Sequence, residues 1–294
     1  MDLLRRTKIL RLWLCALACA AAFGVVTAAG GESPADAPVA AKPLPFEPDE
    51  ELFFQGDFSR LMLRGIEIAE FRFTSTRAPA TNSSDGSQTS PPNILFKGDV
   101  RARGWFRKLF GIDFHYSHES LVDPNGLLIL RTTKLDEQGK RVRASVAEFD
   151  RKADRVKWTQ RNPNDPNADP RVVTNTIRDA AHDIISALYY LRAQPLATGQ
   201  SFDLVVSDDG QTFRVPVRVF ERKVLKTVAG RVPTLRLEVG LFGVGRLVSE
   251  RKGDMTLWLT DDARRLPVRA RLDADVGTLD IKLKKFTGGI SRQK

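Results

Sequence analysis

Several stretches of this 294-residue chain alternate apolar and polar residues with a period of two. The pattern runs through Leu235-Arg236-Leu237-Glu238-Val239, around Leu257-Trp258-Leu259, through Val268-Arg269-Ala270-Arg271-Leu272 and through Leu279-Asp280-Ile281-Lys282-Leu283. Side chains on a strand point alternately to the two faces of a sheet, so each stretch buries one face and wets the other. Val215–Phe220 fits as well, and Pro216 within it marks an edge strand or a bulge. Hairpin-type turns punctuate the pattern at Asp123-Pro124-Asn125-Gly126, Asp136-Glu137-Gln138-Gly139, Asp208-Asp209-Gly210, Ala229-Gly230 and Asp275-Val276-Gly277. Ten to twelve strands joined mostly by short turns form an antiparallel meander, which must curl or close to protect its edges. The predicted fold is therefore mainly β: a curved antiparallel meander sheet or open β-barrel with one amphipathic helix packed against it.

The helix comes from the one segment that breaks the alternation. Between Thr174 and Ala193 the residues Ile177, Ala181, Ile184, Leu188 and Leu191 recur at helical spacing. Thr176 with Asp179 three residues on resembles a capping box, and Pro195 and Gly199 end the run. The spacing predicts a helix over 174–193 that covers the concave face or one mouth of the sheet.

The N-terminus reads as an export signal. Arg5, Arg6, Lys8 and Arg11 precede an apolar run from Leu12 to Val26, and the small residues Thr27, Ala28 and Ala29 follow. The apolar run is short against the roughly 20 residues a membrane span needs, so residues 1–28 are expected to be a cleaved signal peptide. An uncleaved anchor, or lipid attachment at Cys19 within Ala16-Leu17-Ala18-Cys19, are the alternatives. Cys15 and Cys19 are the chain's two cysteines, so cleavage after Ala28 would leave none. Residues 29–45 are rich in Ala and Pro and read as a flexible tether, 46–287 as one β domain, and 288–294 as a disordered tail. The tracts 77–93 and 161–171 read as long polar loops. The expected location is exported and periplasmic.

Composition narrows the chemistry. A hydrophobic share of 42% supports a real core and excludes global disorder. The net charge of +10 falls to +7 if residues 1–28, with four basic residues and one acidic residue, are removed, a mild positive field that serves solubility or attraction to anionic envelope surfaces, and no nucleic-acid partner is expected after export. No phosphate-binding glycine loop, dinucleotide fingerprint or nucleophile elbow is present, and no cofactor is expected. His115 and His118 fall on opposite faces of a strand, a poor arrangement for sharing a metal, and none is expected. Asp261-Asp262 followed by Arg264-Arg265 reads as a turn with local ion pairs. Trp105, Phe106 and Phe110 lie in a basic stretch and read either as core or as a tip touching a membrane.

Beyond these patterns, several segments resemble a family of exported bacterial proteins, domain of unknown function 3108. They are Pro45-Phe46-Glu47-Pro48-Asp49-Glu50-Glu51-Leu52, Glu119-Ser120-Leu121-Val122-Asp123, Asp183–Arg192 with Pro195-Leu196 and Gly199, Ala229-Gly230, and Leu257-Trp258-Leu259-Thr260-Asp261-Asp262 with Leu266-Pro267-Val268. The resemblance spans about 45 to 285 and implies export and a β fold but no activity. This sequence departs from the family pattern at Asp49 and Glu70, where the family carries Gly, and in the long 77–93 insertion. Asp183, Arg192, Asp261, Asp262 and Pro267 are the structural motif residues that the resemblance singles out.

The expected function is that of an uncharacterised, non-catalytic envelope protein holding an apolar ligand, a lipid or a partner segment in its concave face. The candidate ligand-binding residues are Ile184, Leu188, Tyr189, Tyr190 and Trp258. One alternative is an interaction module that presents Arg269, Arg271, Lys282 and Lys284 to an anionic envelope polymer. The other is an enzyme using Asp183 with His182, or Asp261 with Asp262. For Asp183 and Arg192 a docking role competes, with Asp183 bonding sheet-edge amides and Arg192 pairing with a carboxylate.

Overall fold

The computed structural model describes residues 44–78, 92–104, 113–177, 179–248 and 253–288. The expected signal peptide, Cys19, most of the tether, the tail from 289 on, and Trp105, Phe106 and Phe110 lie outside these residues. Fourteen strands and one helix follow in chain order: β1 (Glu51–Arg60), β2 (Leu63–Arg77), β3 (Ile94–Ala102), β4 (Phe114–Val122), β5 (Ile129–Gln138), β6 (Arg141–Asp150), β7 (Arg155–Arg161), β8 (Arg171–Thr176), α1 (Ile184–Ala193), β9 (Ser201–Asp208), β10 (Gln211–Thr227), β11 (Gly230–Val239), β12 (Gly253–Thr260), β13 (Pro267–Ala274) and β14 (Gly277–Thr287).

All fourteen strands form one antiparallel sheet in the order β8-β7-β6-β5-β4-β3-β2-β1-β14-β13-β12-β11-β10-β9. The meander runs outward in both directions from its centre, where the first and last strands pair, with Gly56 opposite Ile281. The expected mainly β meander is what forms, with more strands than the ten to twelve read from alternation. The extra ones escape that reading for local reasons. β8 is short and polar, and β2 buries Ile68 and Ala69 in succession where its register against β1 shifts.

The inward positions are apolar and close-packed over most of the sheet. Along β4 every second residue is buried: Phe114, Tyr116, His118, Ser120 and Val122. In β11 the buried apolar residues are Leu235, Leu237 and Val239, matched across the ladder by Leu259, Leu257 and Met255. Asp49, which stands where the resembled family has Gly, adopts φ 79°, and its amide donates to the Ser75 carbonyl at 2.6 Å. Asp tolerates the left-handed region better than most residues, so the departure keeps the turn.

The helix is shorter than the predicted 174–193. Residues up to Thr176 belong to β8, paired with β7 through Lys157–Thr174 and Arg155–Thr176. Val172, Val173, Thr174 and Thr176 are β-branched and favour the strand. The described residues before the helix are not helical either: His182 forms a parallel bridge to Val206, and its amide donates to the Val205 carbonyl at 2.9 Å. The cap is Asp183, not Thr176. Its carboxylate accepts from the amides of Ile185 (2.9 Å) and Ser186 (3.2 Å), while the Asp183 amide donates to Ser186 Oγ at 2.8 Å.

The ten-residue helix lies within the concave face, against β3, β4 and β9. Gly98 makes room for it: a Cβ there would stand 2.6 Å from Ile185 Cδ1. Tyr189 stacks on Phe96 with ring centroids 3.9 Å apart, and Phe46 meets both rings edge-on.

The edge strands β8 and β9 do not pair with each other. The two ends of the sheet are joined instead through side chains and the segment leading into α1. The β9–β10 turn reaches the inner face of the opposite end, where Asn175 Nδ2 donates to the Gly210 carbonyl at 2.6 Å and a Cβ on Gly210 would stand 3.0 Å from Trp158 Cβ. On the same seam the Ile129 amide donates to the Ala181 carbonyl, and the Arg151 guanidinium donates to the carbonyls of Ile129 and Ala181.

Candidate functional site

Two buried polar clusters hold α1, one at each end. At the N-terminal end the inward positions of β4 and β5 carry His118, Ser120 and Lys134 instead of apolar residues. His118 Nε2 stands 3.4 Å from Asp183 Oδ1, and its Nδ1 stands 3.4 Å from the Tyr116 hydroxyl. Lys134, opposite His118 in the ladder, pairs with Asp208 and, at 3.2 Å, with Asp209.

Burial governs the charges here. It pushes His118 down to about 4, with Lys134 adding to the effect and Asp183 opposing it, so the imidazole is neutral at pH 7. Burial would raise Asp183, but His118, the Ser120 hydroxyl and the hydroxyl and amide donors of Ser186 outweigh it and hold the carboxyl below its ordinary value. Burial pulls Lys134 down, yet the facing Asp208 and Asp209 more than reverse this. Asp208 is pushed up to about 6 by burial and by Asp209, against the pull of Lys134. At neutral pH the buried part of the cluster therefore holds the Lys134 ammonium, the Asp183 and Asp208 carboxylates and a neutral imidazole, with the partly exposed Asp209 beside Lys134. Burial also raises the Tyr116 hydroxyl, which stays protonated.

At the C-terminal end Arg192 is fully buried and forms a fork on Glu50, Nη1 donating to Oε1 at 2.5 Å and Nη2 to Oε2 at 2.8 Å. Its remaining donors reach the Arg264 carbonyl at 3.3 Å and the Pro45 carbonyl at 3.4 Å, and it lies over the rings of Phe46 and Tyr189. Three segments quoted above for the family resemblance thus meet on one guanidinium: the Pro45–Leu52 opening, the helix, and the turn after Trp258-Leu259-Thr260-Asp261-Asp262.

The predicted site residues divide accordingly. Arg192 pairs with a carboxylate, as the docking reading expects. Asp183 caps its own helix rather than sheet-edge amides, because the helix begins at Ile184. His182 is not on the helix; its Nδ1 lies 2.9 Å from the Leu127 carbonyl, and its ring lies tilted against Tyr190 with centroids 4.1 Å apart. Tyr189 is fully buried, whereas Ile184, Leu188 and Tyr190 are partly exposed. Trp258 does not join them. Leu257 and Leu259 take the inward positions, and Trp258, itself buried, takes the opposite parity between Arg236 and Arg269, with Arg269 over its ring.

Asp261 and Asp262 form the β12–β13 turn. Asp261 pairs with Arg265 and Arg222, and Asp262 Oδ1 accepts from the Thr260 hydroxyl and from the amides of Arg264 and Arg265. That turn lies at the C-terminal end of α1 and Asp183 at the other. The two carboxylate groups are separated by the helix, about 15 Å for ten residues, and do not converge. Pro267 opens β13 opposite Leu259.

His115 and His118 do point to opposite faces. His115 lies on the outer one between Asp99 Oδ2 (2.8 Å) and Glu137 Oε2 (2.6 Å). Among the described residues no group of three or more His, Cys, Asp or Glu is placed to hold a metal ion. Three members of the basic row are paired: Arg269 forks onto Asp280, Arg271 pairs with Asp273, and Lys282 reaches Asp280 and Asp57, while the exposed Lys284 forms no ion pair among the described residues.

Surface grooves of about 860 Å³ (Phe202, Pro216, Arg218, Arg236, Met255), 520 Å³ (Phe53, Arg72, Lys97, Arg101) and 380 Å³ (Leu225, Lys226, Lys282, Lys284) are present. The seat between α1 and the sheet is filled by Ile185 against Gly98 and Tyr189 against Phe96. Sequence reasoning missed Glu50, Tyr116, Lys134 and Asp208. The signal for Lys134 was its phase, since it shares the inward parity of Thr132 and of the buried His118 opposite.

Comparison with solved structures bears on the fold. A beta-barrel-like protein of domain of unknown function DUF1849 from Brucella abortus is similar with a TM-score of 0.54 at 6% identity, over 83% of this chain and 99% of that one. A hypothetical protein from Chlamydia trachomatis aligns with a TM-score of 0.28 at 10% identity, over 84% and 90%. No curated protein matches. The family model described as Protein of unknown function (DUF3108) matches residues 60–284, most of the chain, and this protein belongs to that family.

Proposed function

We propose that this is an exported, non-catalytic binding protein of the cell envelope that holds an apolar ligand or partner segment on the concave face where α1 sits. The observation that carries this reading is the seat itself. Phe46, Phe96 and Gly98 form an apolar surface that already accommodates a helical segment through Ile185 and Tyr189. Non-helical residues join that segment to the sheet on both sides, among them Ala181 to Asp183 before it and Gln194 to Gln200 after it, where the Gln200 amide closes a turn on the Ala197 carbonyl. Its ends are held by ionisable groups rather than by a continuous ladder, and the strands flanking it share no hydrogen bonds with each other. An apolar guest taking the place of α1 would bury comparable surface. Export is supported by the basic, apolar and small-residue order of residues 1–28.

The test is extraction of the purified protein for co-purifying lipid, together with titration of a hydrophobic dye against the wild type and Glu50→Gln. The reading expects bound lipid, and stronger dye binding by the variant with its far-UV circular dichroism unchanged. No lipid, and equal dye binding by both proteins, would overturn it.

A further inference from the structure

The two most exposed large apolar residues of the described chain, Met62 and Leu61, are neighbours at one hairpin tip, with the exposed Leu63 beside them. Between β1 and β2, Leu61 is 89% exposed, Met62 98% and Leu63 43%, and all residues from Arg60 to Gly65 are exposed. Burying none of three consecutive large apolar side chains is unusual, because surface apolar residues normally occur singly. The turn holds them out: Leu61 adopts φ 51°, a left-handed conformation that leucine rarely takes, and the Gly65 amide donates to Ser59 Oγ at 2.9 Å to close the tip. Arg60 and Arg64 flank the apolar triplet, and neither forms an ion pair among the described residues. This contrasts with the neighbouring sheet surface, where Arg72 pairs with Glu51, Arg101 with Asp99 and Arg103 with Glu70.

The β11–β12 connection opens on the same rim of the barrel and carries Val244, 77% exposed. The opposite rim holds the buried Arg192–Glu50 pair and the β12–β13 turn, so the apolar tip is far from α1.

We infer that the Arg60–Arg64 tip docks on an anionic lipid surface, Leu61, Met62 and Leu63 entering the headgroup region while Arg60 and Arg64 contact lipid phosphates. Apolar side chains flanked by free cations match the two components of interfacial binding: burial of apolar area at the acyl boundary and attraction to anionic headgroups. An apolar pocket on a protein partner would accept the leucines but would leave the two arginines without a reason. The inference rests on the envelope location proposed above, but not on the interior seat.

Met62 supplies its own probe. In the full-length protein, its oxidation to the sulfoxide by hydrogen peroxide is followed by peptide mass spectrometry, with the partly buried Met255 as internal reference. Vesicles of phosphatidylethanolamine with phosphatidylglycerol are expected to slow Met62 oxidation several-fold. Vesicles of phosphatidylcholine should not, and Met255 should be unchanged in either. High salt, and the Arg60→Gln/Arg64→Gln variant, should remove most of the protection. Because the reporter is local, attachment through residues 1–28 does not by itself produce the signal. Oxidation at the same rate with and without anionic vesicles would overturn the inference, as would equal protection by phosphatidylcholine. Protection that rises with protein concentration in the absence of lipid would also overturn it, by assigning the tip to a second copy of the chain. Dye binding in the interior is a separate readout, so failure of one reading leaves the other standing.

Discussion

Arg192 and Glu50, 142 residues apart in sequence, meet as a fully desolvated fork that ties the last turn of α1 to the residue preceding β1. Removing one partner of such a pair leaves an uncompensated charge in a buried site. Glu50→Ala is expected to lower unfolding free energy by about 3–5 kcal/mol, read by urea denaturation. Glu50→Leu with Arg192→Met removes both charges and should recover much of that loss. A double variant as unstable as the single one would show that the pair does more than neutralise itself.

Lys134 is the corresponding element at the other end of the helix. Lys134→Met leaves Asp208 and Asp209 without their cation, and a loss of about 3–5 kcal/mol is expected. Adding Asp208→Asn removes the carboxylate that burial already pushes up to about 6, so the double variant should be more stable than Lys134→Met alone. The comparison is a denaturation series of the two singles and the double at pH 7.

His118 should make stability depend on pH with a definite sign. Its value falls from 6.5 in the unfolded chain to about 4 in the fold, so the unfolded state binds the proton first. The stabilisation is complete above about 6.5 and is lost as pH falls toward 4, up to about 3 kcal/mol in all. Asp208 works in the opposite sense: raised to about 6, it favours the fold at low pH and loses that contribution as pH rises from 3.8 through 6. The wild type alone therefore shows a blunted profile. The stability difference between wild type and His118→Gln isolates the histidine, and it should shrink steadily from pH 7 to 4.5. A difference independent of pH would contradict the buried neutral imidazole.

Gly98 is required by Ile185. Gly98→Val is expected to cost about 1–3 kcal/mol through overpacking. Shortening the opposing side chain in Gly98→Val/Ile185→Ala should give less than the sum of the two single losses, since contacting sites are not additive. Strict additivity, measured by chemical denaturation, would place the helix elsewhere.

Much of the fold was legible because strands with one wet face leave a simple record. Leu235, Leu237 and Val239, or Leu279 and Leu283, report their inward parity directly. What was not legible is where parity carries a polar residue. His118, Ser120 and Lys134 occupy inward positions, and a period-two reading scores them as interruptions. Their justification is tertiary: Asp183 and Asp208 reach them from distant segments. The helix start was misplaced because Ile177 and Ala181 keep helical spacing while serving an extended segment. The decisive residues, Asp183 and Ser186, form a capping box without the usual Glu at its third position. Arg192, by contrast, announced itself as a lone cation in an apolar helix, and only the identity of its partner was missing.

If α1 is a seated segment, as proposed above, it can leave the concave face while the sheet stays formed. Native-state hydrogen exchange across the chain tests it most directly, in the wild type and in Glu50→Gln. The account predicts that the amides of Ala187 to Leu191 exchange through a partial opening of lower free energy than the β1–β14 ladder, and that Glu50→Gln lowers that opening energy while leaving the ladder nearly unchanged. Exchange of α1 and of the β1–β14 ladder with one common free energy in both proteins would contradict it.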